Sequence, residues 1–383
     1  MTNQERMNLK PFPLCDGHIH ITVAQTADDT VKILENLMTY FNYERIAILG
    51  AQTDSKGLGD PGNNLKALYA KSVINAKNTS KQVYAFSGIY HLHNELDTAD
   101  NYLKQVKNLH EMGFDGIKIL EGKPKLRKNL GKRLDDPVFD KMYAYAEENN
   151  LPITMHLGDP PEFWDINKVS EYVLKVGWFC DETYPTLEEM RDEVYGILTK
   201  FPKLRLTMAH FFFLSQDLEE CARLFDTYPN LSFDVTPGGE MFKGFSTRPD
   251  DWREFFIKYA ERIYLGTDTY NTALYDDLTK YGDNAQLVRL NLVRRCLETS
   301  QPIEHKSYGI LQPLALDDRT LMTIYHDNFV SRLGEPRKVN FKAAAANVPE
   351  MRHLITSGML RDPSDERNAL ELANLDVIQA YFK

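Results

Sequence analysis

The sequence predicts a (β/α)8 barrel with a long loop after its fifth strand and a helical C-terminal extension. Three observations lead there. Short apolar runs alternate with helical patterns along the first 270 residues, which implies parallel strands joined by helical crossovers. The runs number eight, the count that closes such a barrel. They span Leu14 to Asp268, close to the usual length of about 250 residues. A doubly wound open sheet is the structural alternative, but it needs no ring of inward polar groups.

The first run is Leu14–His20, followed by a helical pattern over 28–41 with Val31, Ile33, Leu34, Leu37 and Met38 on a broad face. Arg45 to Gly50 is the second strand, and a helix begins at Asn64 after a loop rich in Gly, Asp and Lys. Val83 to Ile89 is the third strand, with a helix from Asp97 to Met112. Phe114 to Leu120 is the fourth, followed by a basic loop from Glu121 to Arg133 and a helix from Pro137 to Asn149. The fifth to eighth strands are Pro152 to Leu157, Leu204 to His210, Leu231 to Thr236 and Arg262 to Asp268. Helices are expected at 187–200, 217–228 and 249–259. Residues 158–186, rich in aromatics, make a loop too long to lack a purpose, so a lid or an interface is expected there. The tail carries helical patterns at 284–298, 317–333 and 343–355 and has no linker. A single domain over 11–383 follows, with a barrel core at about 14–270 and the extension at about 271–383.

Composition narrows the classes of function. Hydrophobic residues make up 43% of the 383 and charged residues 26%, the balance of a globular protein with ample core. Forty-five Lys+Arg against 55 Asp+Glu leave a net charge of −10, which argues against a nucleic-acid backbone as partner. Met1 to Lys10 shows no apolar signal region, and the apolar run around Phe211 is far short of the roughly 20 residues that span a bilayer. No membrane partner is expected. The four cysteines, Cys15, Cys180, Cys221 and Cys296, form no CxxC pair and are read as reduced thiols of a cytoplasmic protein.

The chemistry is written at the strand ends. His18 and His20, at i and i+2 on a strand, point to the same face. His156 ends the fifth strand, His210 the sixth and Asp268 the eighth. In a (β/α)8 barrel these ends converge on one face, where the active sites of the fold lie. A lone histidine closing a strand is usually a satisfied rim residue. Four of them with an aspartate, all at strand ends, point to a metal site, because neutral imidazole is the commonest zinc ligand.

The series Asp16-Gly17-His18-Ile19-His20, Gly116-Ile117-Lys118, Thr154-Met155-His156, Ala209-His210 and Gly266-Thr267-Asp268 resembles the amidohydrolase superfamily. It is most similar to the amidohydrolase-related branch that contains the aminocarboxymuconate-semialdehyde decarboxylase-like enzymes and assorted metal-dependent hydrolases. The match runs roughly from Pro11 to Tyr270. The resemblance implies one divalent metal, zinc first with manganese or iron open, held by His18, His20, His156 and Asp268. It implies His210 as an acid/base group and Asp268 as both ligand and proton acceptor. Binuclear members carry a carboxylated lysine at the position of Lys118. The alternative is a rim lysine that forms an ion pair or binds a substrate carboxylate.

The expected activity is hydrolysis of a small, carboxylated substrate by metal-activated water at a C–N or C–O acyl centre. Non-oxidative decarboxylation of an aromatic or muconate-type acid is the alternative, and a catalytically inactive binding barrel is the second. Lys118, Trp164 and Tyr270 are the candidates for substrate contact. Gln52, His91, His93, Glu121, Asp159, Thr236, Glu240 and Asn271 share the rim. The basic residues of 123–133 are candidates for steering an anion, Asp16 for orienting the first histidines, and the long loop for a homodimer contact.

Overall fold

The computed structural model describes residues 9–21, 25–50, 62–77, 80–270 and 285–383; the side chains of 239, 270 and 285–288 lie outside the description. Strands β1 (Leu14–His20), β2 (Tyr43–Leu49), β3 (Gln82–Gly88), β4 (Gly116–Gly122), β5 (Ile153–Leu157), β6 (Leu206–Met208), β7 (Leu231–Asp234), β8 (Ile263–Tyr264) and β9 (Thr269–Tyr270) form one parallel sheet. Its order is β8-β7-β6-β5-β4-β3-β2-β1-β9. The ring closes because β8 and β9 are the two halves of one stave. Ile263 and Tyr264 pair with β7, while Thr269 and Tyr270 pair with β1. Between them, Leu265 O accepts from Gly17 N and Asp268 N donates to His18 O, both at 2.9 Å. The eighth strand is therefore not the continuous 262–268 run of the sequence reading.

The strands are buried on both sides, as parallel strands under helices must be; β3 to β5 are buried along almost their whole length, polar residues such as Lys118 and His156 included. The helices carry their own start and stop signals. Thr26 accepts from Asp29 N at the head of Ala27–Tyr40, Thr98 caps Ala99–Met112, and Thr186 with Glu189 forms a capping box on Leu187–Lys200. Ala99–Met112 ends at Gly113, whose φ of 99° and closeness to Lys338 O (2.4 Å from a Cβ built there) both require glycine.

Several expectations are corrected. The basic loop is in large part a short helix, Pro124–Leu130, and three of its six charges are paired with carboxylates. Arg127 forks onto Glu193, Lys123 donates to Asp159 and Arg133 to Asp135. Lys125, Lys128 and Lys132 meet no carboxylate among the described residues, so half of the run is left to steer an anion. The long loop contains a 3-10 turn, Pro161–Trp164, and a helix, Glu171–Val176. The tail adds a hairpin, Ile303–His305 with Gly309–Leu311, and a last helix, Arg367–Phe382, which packs on Asn63–Ala76 through Tyr381. The expected helix over 317–333 is interrupted by a π turn, Thr323–Asp327. There Ile324 O accepts from Leu265 N at 3.1 Å, and Asn328 Nδ2 donates to Ile263 O at 2.7 Å, so the extension props the broken stave. Among the described residues no helix is long and apolar enough to cross a membrane.

Candidate metal centre

β1 carries a one-residue bulge between Asp16 and Ile19. Asp16 stabilises it: one carboxylate oxygen accepts from His18 N at 3.0 Å and Thr267 N at 3.2 Å, and the other from Thr267 Oγ1 at 2.6 Å. Asp16 thus orients the backbone of the first histidine, not its ring. Burial pushes its carboxyl up to about 7, against the pull of the Thr267 and His18 hydrogen bonds. Gly266 makes room opposite, since a Cβ there would lie 2.3 Å from Thr236 Oγ1 and 2.9 Å from the His18 Cβ.

The rings are held from behind. His18 Nδ1 donates to Asp234 Oδ2 at 2.8 Å, with Thr236 Oγ1 3.2 Å away, and His20 Nδ1 donates to Leu49 O at 2.9 Å. Each Nδ1 therefore carries the proton and each Nε2 keeps its lone pair for the interior. The two Nε2 atoms are 3.2 Å apart; Asp268 Oδ1 is 3.2 Å from that of His20 and 3.7 Å from that of His18. Three donors thus lie within 4.8 Å of one another. Zinc bonds of 2.0–2.1 Å in a tetrahedron imply donor-to-donor edges of about 3.4 Å, so the set fits a divalent ion. The protonation states suit it as well. Burial, then the Lys118 charge, hold His18 down at about 3. Burial works to raise Asp268, but its bond to His20 and the neighbouring imidazoles keep it well below the usual carboxylate range. Asp268 Oδ2 and its own carbonyl accept from Arg289 at 2.8 Å.

Asp268 has a φ of 52°, and the sixth stave ends in the same left-handed region. β6 stops at Met208, and His210, Phe211, Phe212 and Phe213 follow at φ 56°, 53°, 55° and 50°. L-residues pay roughly 1–2 kcal/mol each for that conformation, and strain of this kind gathers at functional sites. Packing holds it here: Phe211 and Phe212 are fully buried, Phe211 against Phe233, Phe245, Trp252 and Phe256. His210 N donates to Asp234 Oδ1 at 2.8 Å, so one carboxylate positions two histidines. The His210 ring lies 5.6 Å from His18 and 4.8 Å from His156, centroid to centroid, with Nδ1 3.3 Å from Thr236 O. Burial, with the nearby His156, pushes it down to about 3.

The structure does not bring His156 into the cluster of three. Its Nε2 donates to Gly158 O at 2.9 Å, which leaves the lone pair on Nδ1; burial keeps the ring neutral, at about 4. Lys118 is fully buried with Nζ 3.3 Å from His18 Nε2, and burial pushes it down to about 8 although Asp234 and Asp268 pull the other way. The Trp164 indole N–H is spent on Pro185 O within its own loop. Tyr270 pairs through its backbone with His20, and its side chain lies outside the description, as do Gln52 and Asn271 altogether. His91 Nε2 meets Glu121 Oε1 at 2.9 Å and its Nδ1 meets Tyr102 OH, so two rim candidates are engaged with each other. Sequence reasoning missed Asp234 and Arg289. Asp234 could have been found, since it lies within two residues of the end of the seventh run; nothing in the chain marks Arg289.

The barrel and its strand-end histidines and aspartate define a class, and comparison with known proteins names it. The amidohydrolase family profile matches residues 88–328, and the chain belongs to that family. No curated protein matches it. Among solved structures it is similar to an uncharacterised TIM-barrel protein from Bordetella bronchiseptica, with 13% identity and a TM-score of 0.51 over 84% of this chain and 100% of that one. It is also similar to 2,6-dihydroxybenzoate decarboxylase from Rhizobium, with 12% identity and a TM-score of 0.52 over 84% and 98%. At such identity the likeness is one of fold.

Proposed function

We propose that this chain is a metal-dependent hydrolase that opens a C–N or C–O acyl bond of a small, carboxylate-bearing molecule. The observation that carries the proposal is the convergence of His18 Nε2, His20 Nε2 and Asp268 Oδ1, with the opposite ring nitrogens committed to Asp234 and Leu49. A divalent ion held there would supply a Lewis acid and lower the pKa of water toward neutrality. His156 is the proposed fourth protein ligand, through Nδ1.

The chain's own groups supply the rest. His210, neutral and with Nδ1 turned to the Thr236 carbonyl, keeps Nε2 as a base that takes a proton and returns it to the leaving atom. Lys118, buried with Nζ 3.3 Å from His18 Nε2, would seat a substrate carboxylate. Arg289 holds Asp268 by its other oxygen, which fixes the direction of Oδ1.

Loss of CO2 is the second reading. It is supported by the likeness to the Rhizobium decarboxylase fold and by the same buried lysine, since a carboxylate seated there is next to the cluster. Metal analysis of the purified protein, followed by parallel screens of amides and lactones and of aromatic and muconate-type acids, separates the readings. Hydrolysis products without CO2 support the proposal, and CO2 without hydrolysis replaces it by the second. A protein that binds no stoichiometric divalent ion, native or reconstituted, overturns both.

A further inference from the structure

The end of the barrel opposite the His18 cluster holds a small cavity of about 40 Å³ that is partly open to solvent. Its lining runs from Arg205, Asn230 and Arg332 at the strand starts inward to Thr154, Thr207 and Asp234. The two guanidiniums meet only neutral oxygens. Arg205 donates to Asn150 O at 3.3 Å and to Arg332 O. Arg332, on the helix Asn328–Leu333, donates to Ser232 Oγ and lies 5.9 Å from the Tyr264 ring centroid. A third arginine, Arg262, is turned to the carbonyls of Tyr228 and Leu231 and adds its charge nearby.

Arg191 and Arg262 likewise donate only to carbonyls, so what sets Arg205 and Arg332 apart is that both line one cavity. The largely buried Arg127, Arg294 and Arg361 each face a glutamate, at 2.8, 2.5 and 3.1 Å. Neither Arg205 nor Arg332 is in an ion pair among the described residues. Burial, and then the like charge of Arg332, push the Arg205 guanidinium below its ordinary value. Partly buried charge without a counter-ion is costly, and the planar fork of arginine suits the oxygens of phosphate and carboxylate.

We infer that the closed end of the barrel is a binding site for a small oxyanion gripped by Arg205 and Arg332. The anion ties the helix Asn328–Leu333 to the start of β6 and shares nothing with the His18 cluster but the Asp234 layer between them.

The test is a titration of the whole chain, with and without prior removal of metal, using inorganic phosphate in one arm and succinate in the other. Calorimetry and thermal unfolding read the binding. One saturable site is expected, unaffected by metal removal, with Tm rising by roughly 3 °C at about 100 times Kd. Arg205→Gln and Arg332→Gln should each weaken it about 10- to 100-fold, the value of a charged hydrogen bond. Arg332→Lys, which keeps the charge and loses the fork, should fall between. The stronger arm names the oxyanion. Binding that disappears with the metal, that survives both glutamine variants, or that fails to saturate by about 0.1 M, where screening takes over, overturns the inference. If neither glutamine variant folds, the metal-free titration and Arg332→Lys decide.

Discussion

Asp234 Oδ2 stands 2.8 Å from His18 Nδ1 while Oδ1 of the same carboxylate accepts from His210 N at 2.8 Å. Burial would raise this carboxyl, but its His18 partner outweighs that and holds it at about 2. The acceptor is thus ionised across the working range and keeps the His18 lone pair on Nε2. Asp234→Asn should weaken divalent-metal affinity about 10- to 100-fold. Chelator competition measures this. A merely structural loss would lower Tm and leave affinity in the folded fraction unchanged.

Removing a donor is more severe than loosening one. His18→Asn, His20→Asn and Asp268→Asn should each purify with far less than one equivalent of metal by elemental analysis. If Asp268→Asn retains the full complement, the carboxylate is not part of the centre.

Lys118→Met separates two roles for the buried lysine. If it seats a substrate carboxylate, metal content stays at one equivalent while KM rises by about tenfold or more, the loss of one charge-assisted contact. If it bridges two ions as a carboxylated lysine, stoichiometry falls from two to one.

Glu240 supplies a pH signature away from the cluster. Burial, with smaller contributions from the Glu162 and Asp159 charges, pushes its carboxyl from 4.5 up to about 7, and Tyr308 OH is its neighbour at 3.4 Å. The folded chain binds that proton more tightly than the unfolded one. The stability it contributes is complete below about pH 4.5 and is lost as pH rises to 7, by up to about 3 kcal/mol. Glu240→Gln should flatten that loss: urea midpoints of variant and parent should diverge in the variant's favour from pH 5 to pH 8. Parallel curves would contradict it.

Glu193 receives Arg127 through two nitrogens and Leu134 N at 2.7 Å, and is 1% exposed. Glu193→Ala leaves a largely buried guanidinium and a backbone N–H unpaired, so a loss of about 3–5 kcal/mol is expected. Denaturant unfolding measures it.

The barrel was legible because its signals are periodic and local: eight short apolar runs alternating with helical patterns such as that of Val31, Leu34 and Met38. The strand-end polar residues were legible because the fold brings such positions together whatever lies between them. What escaped was set by tertiary contact. β6 is three residues long because aromatic packing carries Phe211 and Phe212 into a left-handed turn that no propensity favours, so alternation along a strand does not give the direction of His210. The basic residues after β4 read as a surface run because their acidic partners, Glu193 and Asp159, are distant in the chain. Arg289 reaches Asp268 from a helix whose own pattern is only amphipathic.

The split eighth stave has a consequence for assembly. Thr267 meets Asp16 across 251 residues, the longest loop the ring must close, and loop-closure entropy is paid before such contacts return anything. The same few residues that lock the last stave to the first also deliver Asp268 to the two histidines of β1. The seam of the barrel is therefore its site. A chain truncated before Asp268 loses ring closure and the carboxylate together, and no partly closed barrel has the complete donor set.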